Sequence, residues 1–193
     1  MANTTYDVII VGGGVAGLSA AIYTGGAKLS TMVFDTGKSQ VTQVSKVMNY
    51  PGFAEGISGT DLIEQCRRQV SGLGVELINR EITGVERKQD AFIVSAESEQ
   101  FESRYLVLAT NVNWKILESL GFELEVNPLV PSGKIRFAKG IGYNGETHIP
   151  NLYLAGLHTP IQSQAVIAAG QGANIGITIA SRALENTYMW HDK

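Results

Sequence analysis

The amino-acid sequence predicts an α/β fold: three layers around a parallel sheet, with a small antiparallel β meander, in one compact unit. Three observations predict it. A strand, a glycine-rich turn, a helix and a second strand follow one another between residues 6 and 35. Further strand-like apolar runs occur between residues 75 and 109. Residues 165 to 180 are almost all small or apolar and read as a tightly packed helix. Strands alternating with helices favour a parallel sheet covered by helices.

The first unit is the most informative. Tyr6 to Val11 (YDVIIV) is a short, β-branched, buried strand. Gly12-Gly13-Gly14-Val15-Ala16-Gly17 follows, a G-x-G-x-x-G pattern. Leu18 to Tyr23 continue as a helix, Gly25-Gly26 reads as its end, and Ser30 to Asp35 form the next strand. Asp35 stands about 20 residues beyond the glycines, where a dinucleotide site places its acid. Gly12 permits the tight turn, Gly14 lets the backbone approach a pyrophosphate, and Gly17 lets helix and strand pack closely. The free N–H groups and partial positive charge of the helix N-terminus suit the phosphates. Asp35 is expected to accept both hydroxyl hydrogens of an adenosine ribose and to repel a 2′-phosphate. FAD or NAD is therefore expected, and NADP is not. A glycine turn that binds nothing leaves the order of strand, glycines, helix, strand and acid unexplained.

In the middle of the chain, Asn49-Tyr50-Pro51-Gly52 reads as a turn, because proline sets φ and glycine accepts φ > 0. A helix is expected from Ser58, with Asp61 completing a capping box. Leu62, Ile63, Cys66, Val70 and Leu73 then share one helical face. Cys66 is read as a small core residue rather than a redox thiol, since unpaired cysteine is among the most buried residue types. Strands are expected at Val75 to Asn79, Ala91 to Ala96 and Arg104 to Ala109. Thr83 to Asp90 and Glu97 to Ser103 read as polar turns between them, making a small antiparallel insert. Asn111 to Asn113 turn the chain, and a short helix starts near Lys115.

Composition excludes several classes. The 193 residues are 44% hydrophobic and 17% charged, with a net charge of −3, so nothing favours nucleic acid or an anionic membrane. The single cysteine rules out an internal disulfide or dithiol pair. The N-terminus lacks a basic region before its first strand, and residues 165 to 180 are too short and polar to span a bilayer. A cytoplasmic protein without a metal site is expected.

The stretch VMNYPGFAEGISGTDLIEQCRRQVSGLGVEL, the glycine unit with its acid, and THIPNLYLAGLHTPIQSQAVIAAGQGANIGITIA together resemble the thioredoxin reductase family. The resemblance covers residues 6 to 110 and about 115 to 185. It implies a Rossmann-like FAD-binding domain that the family splits by inserting an NADPH-binding domain with a second glycine fingerprint and a C-x-x-C. Here Thr110 reaches KILESLGFELE within a few residues, with neither feature present. The expected organisation is one FAD-binding domain over residues 1–193, its halves 6–110 and 115–193 meeting at a joint, 111–114, where the NADPH domain would be.

The resemblance implies a cofactor-binding set: Gly12, Gly13, Gly14, Val15, Ala16, Gly17, Asp35, Asn49, Ile82, Ala109, Thr110, Gly156, Leu157, Gln164 and Ala165. The flavin is expected near Asn49, Pro51 and Gln164, facing the N-terminus of the last helix. Two departures stand out. The family's A-T-G is Ala109-Thr110-Asn111, and its A-G-D is Ala155-Gly156-Leu157, so the usual acceptor for the ribityl chain is absent. His158 follows, and the expectation is a loop histidine in water. Tyr188, Trp190 and His191 form a tail expected to touch a second chain.

The function these features predict is a minimal FAD flavoprotein. It would exchange electrons with a separate redox partner protein or a small molecule, across the face left open by the missing domain. A non-catalytic FAD-binding or regulatory module is the main rival, and an NAD-dependent dehydrogenase a third reading. No catalytic acid, base or nucleophile stands out. A homodimer is a further expectation.

Overall fold

A computed structural model describes residues 4–110 and 114–191. β1 (Thr4–Val11), α1 (Val15–Gly26) and β2 (Thr31–Phe34) form the first unit. α2 (Gly59–Gly72) and β3 (Glu76–Ile78) follow, then β4 (Gly84–Lys88), β5 (Ala91–Ala96) and β6 (Glu99–Leu108). α3 (Trp114–Ser119), β7 (Leu124–Val126), β8 (Arg136–Ala138), β9 (Leu152–Leu154) and α4 (Ala165–Ala183) complete the chain. Short 3-10 turns lie at Gln40–Gln43 and Gly156–His158.

The main sheet has seven strands in the order β3-β2-β1-β6-β5-β4, with β9 also on β6. β3, β2, β1, β6 and β9 pair in parallel, and β4–β5–β6 is antiparallel. Because side chains alternate along a strand, β1 serves two cores. Val8 and Ile10, with Val33, Tyr105, Val107 and Tyr153, pack under α1, α2 and α4. Ile9 and Val11, with Met32, Phe34, Leu106 and Leu108, pack against Phe92 and Val94 of the meander and Ile116 and Leu117 of α3. β2 and β6 leave β1 on opposite sides. Their C-terminal ends therefore open a crevice beside β1, the usual ligand position in such sheets.

Ser58 caps α2 as expected: its Oγ accepts from Asp61 N–H at 3.0 Å and lies 2.7 Å from Asp61 Oδ2. Leu62, Ile63 and Val70 are buried on its inner face, and Cys66 is half-buried beside them. Gly52 takes φ +96°, as the Asn49–Gly52 turn requires.

Three expectations need correction. Thr83 to Asp90 is not a turn, since it contains β4, whose one buried residue is Val85. A charged edge strand (Gly84-Val85-Glu86-Arg87-Lys88) has little apolar periodicity to betray it. The strand read as Arg104 to Ala109 begins at Glu99, and only the tight link from β5 remains of the polar turn before it. The run at Val75 to Asn79 joins the parallel part of the sheet, on β2, and not the antiparallel insert. Gly25-Gly26 forms the last turn of α1, whose end it marks as expected. A Cβ on Gly25 would lie 2.5 Å from Val75 Cγ2, and one on Gly26 would lie 2.4 Å from Trp190 Cζ3. The pair is small to admit neighbours. Trp190 packs on its own chain, edge-on to Tyr23 with centroids 6.2 Å apart. Tyr188 is half-buried and its N–H donates to Ser181 Oγ, whereas His191 is exposed. The joint residues 111–113 lie outside the described residues.

Candidate functional site

A cleft of about 610 Å³ opens at the C-terminal ends of β1, β2 and β6, within the size range of small-molecule sites, roughly 300–1,000 Å³. The glycine turn forms its floor. Gly12 has φ +117°, and a Cβ there would stand 2.5 Å from the carbonyl oxygen of Ala109. A Cβ on Gly17 would stand 1.9 Å from Gly12 O, so this glycine lets α1 sit directly on the turn. Gly14 meets only Ser39 Oγ, at 3.4 Å, and so leaves its cleft side open.

Two helix N-termini face this space. Gly14 caps α1 and Gln164 caps α4; neither end has a side-chain cap, and both residues line the cleft. Their first-turn N–H groups lack intrahelical partners and carry the positive end of the helix dipole. α4 reaches this position because its small residues let it lie on α1. A Cβ on Gly172 would be 2.0 Å from Ala16 O and one on Gly176 2.6 Å from Ala20 O. Ser19 Oγ also donates to Ala169 O at 2.8 Å.

Of the fifteen residues expected from the sequence, Gly17 alone does not line the cleft; it packs beneath, as its role required. Asp35 lies at one end, with Lys38, Arg80, Glu81 and Ile82. At the other end Asn49 Nδ2 donates to Gln164 Oε1 at 2.7 Å, joining the Asn49–Gly52 turn to the N-terminus of α4. Pro51 is exposed and does not line the cleft.

Asp35 is more engaged than expected. Oδ1 accepts the Gly37 N–H at 2.8 Å, and Oδ2 accepts Arg67 Nε at 2.8 Å and a second Arg67 nitrogen at 2.7 Å. A carboxylate has about four acceptor positions, so roughly one remains for a ribose hydroxyl rather than two. Nothing near Asp35 in sequence marks Arg67, which arrives from α2. Gln171 was also missed. It is fully buried, accepts the Gly156 N–H at 2.7 Å, and donates to Tyr143 O and Thr159 Oγ1 at 3.1 and 2.6 Å. It thereby fixes the turn at Gly156. An amide in a run of small apolar residues was its available signal.

His158 is the clearest correction. It is fully buried, and burial pushes its pKa down to about 4. It contacts Thr110 instead of water and does not replace the missing acid in the cleft, where Leu157 supplies an apolar wall. Burial also pushes the Cys66 thiol up, away from the thiolate that redox chemistry needs.

The residues fit an extended dinucleotide such as FAD. A glycine cradle and a helix N-terminus suit a pyrophosphate, Asp35 suits a ribose, and the α4 N-terminus suits an electron-rich ring. The fit is weakest at Leu157. Among the described residues the only carboxylates in the lining are Asp35 and Glu81, and neither histidine nor cysteine lines it. Among the described residues no group of side chains could hold a metal and no helix is long and apolar enough to cross a membrane.

Known proteins share part of this sequence and its fold. A thioredoxin reductase of Borreliella burgdorferi is 35% identical over 116 residues, which cover 59% of this chain and 36% of that protein. One from Rickettsia bellii is 38% identical over 109 residues, covering 55% and 35%. The matched stretch spans about a third of the length of these curated relatives. The structure of a thioredoxin reductase from Gloeobacter violaceus has a TM-score of 0.77 at 19% identity, with 100% of this chain and 99% of that chain covered. That likeness shows a shared Rossmann-like fold. The family of pyridine nucleotide-disulphide oxidoreductases matches residues 6–131, well over half of the sequence, and the chain belongs to that family.

Proposed function

We propose that this chain is a minimal FAD-binding oxidoreductase that exchanges electrons with a separate protein or small molecule. The observation that carries the reading is one cleft running from Asp35 to Gln164, with two uncapped helix N-termini opening onto it. Bound there, FAD would supply one- or two-electron transfer. The protein's own part is to bind and orient. The glycine turn and the α1 amides would hold the pyrophosphate, and Asp35, clamped by Arg67, would take one ribose hydroxyl. The α4 N-terminus would favour negative charge on the flavin ring.

Single-domain organisation is part of the proposal. With one glycine fingerprint and one cysteine in the sequence, neither a nicotinamide site nor dithiol exchange would be built in, so the electron partner is separate. A redox protein or a second copy would cover the open face. The absence of histidine and cysteine from the lining equally favours a non-catalytic FAD-binding or regulatory module as the second reading.

Purified protein is expected to be yellow and to show a flavin spectrum. A colourless protein that gains no spectrum on addition of FAD would defeat both readings. Anaerobic mixing with NADH and NADPH then tests self-sufficiency: slow or absent bleaching is expected, and rapid bleaching contradicts a separate donor. Turnover with an added redox protein or dye separates the oxidoreductase from the binding module.

A further inference from the structure

Thr110 lines the cleft at the end of β6, and its Oγ1 lies 2.7 Å from His158 Nε2. His158 belongs to the turn after β9, is fully buried and stays outside the cleft lining. Its Nδ1 has no hydrogen-bond partner among the described residues. These facts set the direction of the bond. With its pKa pushed down by burial to about 4, the ring is neutral at pH 7 and carries a single proton. On Nδ1 that proton would be a buried N–H without an acceptor, which folded proteins rarely tolerate; a bare Nδ1 lone pair is the milder defect. The proton therefore sits on Nε2 and is donated to Thr110 Oγ1. A hydroxyl that has accepted a hydrogen bond keeps its own hydrogen to give. At the ends of β1, β6 and β9 the other lining side chains among the described residues are Val11, Ala109 and Leu157, all apolar.

We propose that His158 is a positioning residue that makes Thr110 a hydrogen-bond donor into the cleft, where it takes an acceptor oxygen of the cofactor. The ligand half of this proposal rests on the FAD reading above. The acceptor belongs to the pyrophosphate or to the ribityl chain.

Long-range 1H–15N NMR on the purified protein, with and without FAD, reads the tautomer directly; His158→Gln assigns the signal against His148 and His191. A protonated Nε2 and a bare Nδ1 at pH 7 are expected. A protonated Nδ1, or a doubly protonated ring, overturns the proposal. Thr110→Val should weaken FAD binding about tenfold, the loss of one hydrogen bond, while Thr110→Ser keeps it. Unchanged affinity in Thr110→Val also overturns the proposal. Adenosine diphosphate is titrated alongside: a loss shared with it places the acceptor on the pyrophosphate, and a loss confined to FAD places it on the ribityl chain. His158→Phe should cost about as much as Thr110→Val and add little to it, whereas independent, additive losses count against a shared role. A wild-type chain that takes up no FAD defeats the functional reading itself. The tautomer, readable without cofactor, distinguishes that failure from a failure of the His158–Thr110 bond.

Discussion

Arg67 holds Asp35 from a helix 32 positions further along the chain, through Nε at 2.8 Å and a second nitrogen at 2.7 Å on the same carboxylate oxygen. The Asp35 side chain is only 8% exposed and that of Arg67 26%. This clamp orients the acid that closes one end of the cleft and takes up half of its acceptor capacity.

Asp35→Ala should therefore act twice. Losing a charge-assisted bond to a ribose hydroxyl weakens FAD binding by about ten- to a hundredfold. Leaving Arg67 without its partner costs about 1–2 kcal/mol of stability, well below the value for a fully buried pair because Arg67 still reaches Glu64 and water. FAD titration and urea unfolding measure the two effects separately. Full FAD retention in the variant would place the ribose elsewhere.

His158 predicts a pH dependence. Its pKa lies near 6.5 in the unfolded chain and about 4 in the folded one. Between those values the unfolded chain binds a proton that the folded chain does not. Stability should therefore fall as pH drops from 6.5 towards 4, level off below, and be fully present above 6.5. The full effect amounts to about 3 kcal/mol at 1.36 kcal/mol per unit. Urea midpoints at pH 7 and 4.5 give the slope, and His158→Gln should flatten it. An equal slope in that variant would assign the dependence to other groups.

Gly17→Ala tests the seat of α1. The added Cβ would meet a backbone carbonyl at 1.9 Å, and no side-chain rotation relieves it. A loss of about 3 kcal/mol or more is expected, with FAD binding falling as the glycine turn shifts. Thermal melting checks the first effect and flavin retention the second; a variant as stable as the parent would mean that α1 can slide away from the turn.

Cys66→Ala should be mild. The thiol is half-buried on α2, and its pKa is raised by burial. The substitution should cost about 1 kcal/mol and leave the flavin spectrum and any reductase activity unchanged. The parent thiol should react with iodoacetamide more slowly at pH 8 than free cysteine does. Loss of electron transfer in Cys66→Ala would restore the redox reading of this residue.

The parts of the fold that were legible rest on short-range physics. Val8 and Ile10 alternate with Ile9 and Val11, so the buried strand and its two faces can be read directly. Ser58 and Asp61 are three residues apart, and the cap they form is local. β4 escaped because its pairing with β5, not its own composition, makes it a strand. The glycine turn and Asp35 were legible through motif order and the rest of the lining through the family resemblance, yet Arg67, Gln171 and the burial of His158 were not. Each depends on a partner brought from a distant element.

The sequence by itself determined the glycine turn, the acid after β2, the helix with its apolar face, and a single cysteine that cannot form a pair. It also determined that a leucine, Leu157, and not an acid follows Ala155-Gly156. Only the tertiary structure decided that Asp35 is shared with Arg67, that Trp190 packs on Gly26, and that His158 lies buried against Thr110. The reason is physical. Periodicity, caps and turn chemistry act over a few residues, and so they are written in the order of the chain. Burial and the direction of a hydrogen bond depend on what the rest of the chain packs around a group, and that is set only when the sheet and helices close.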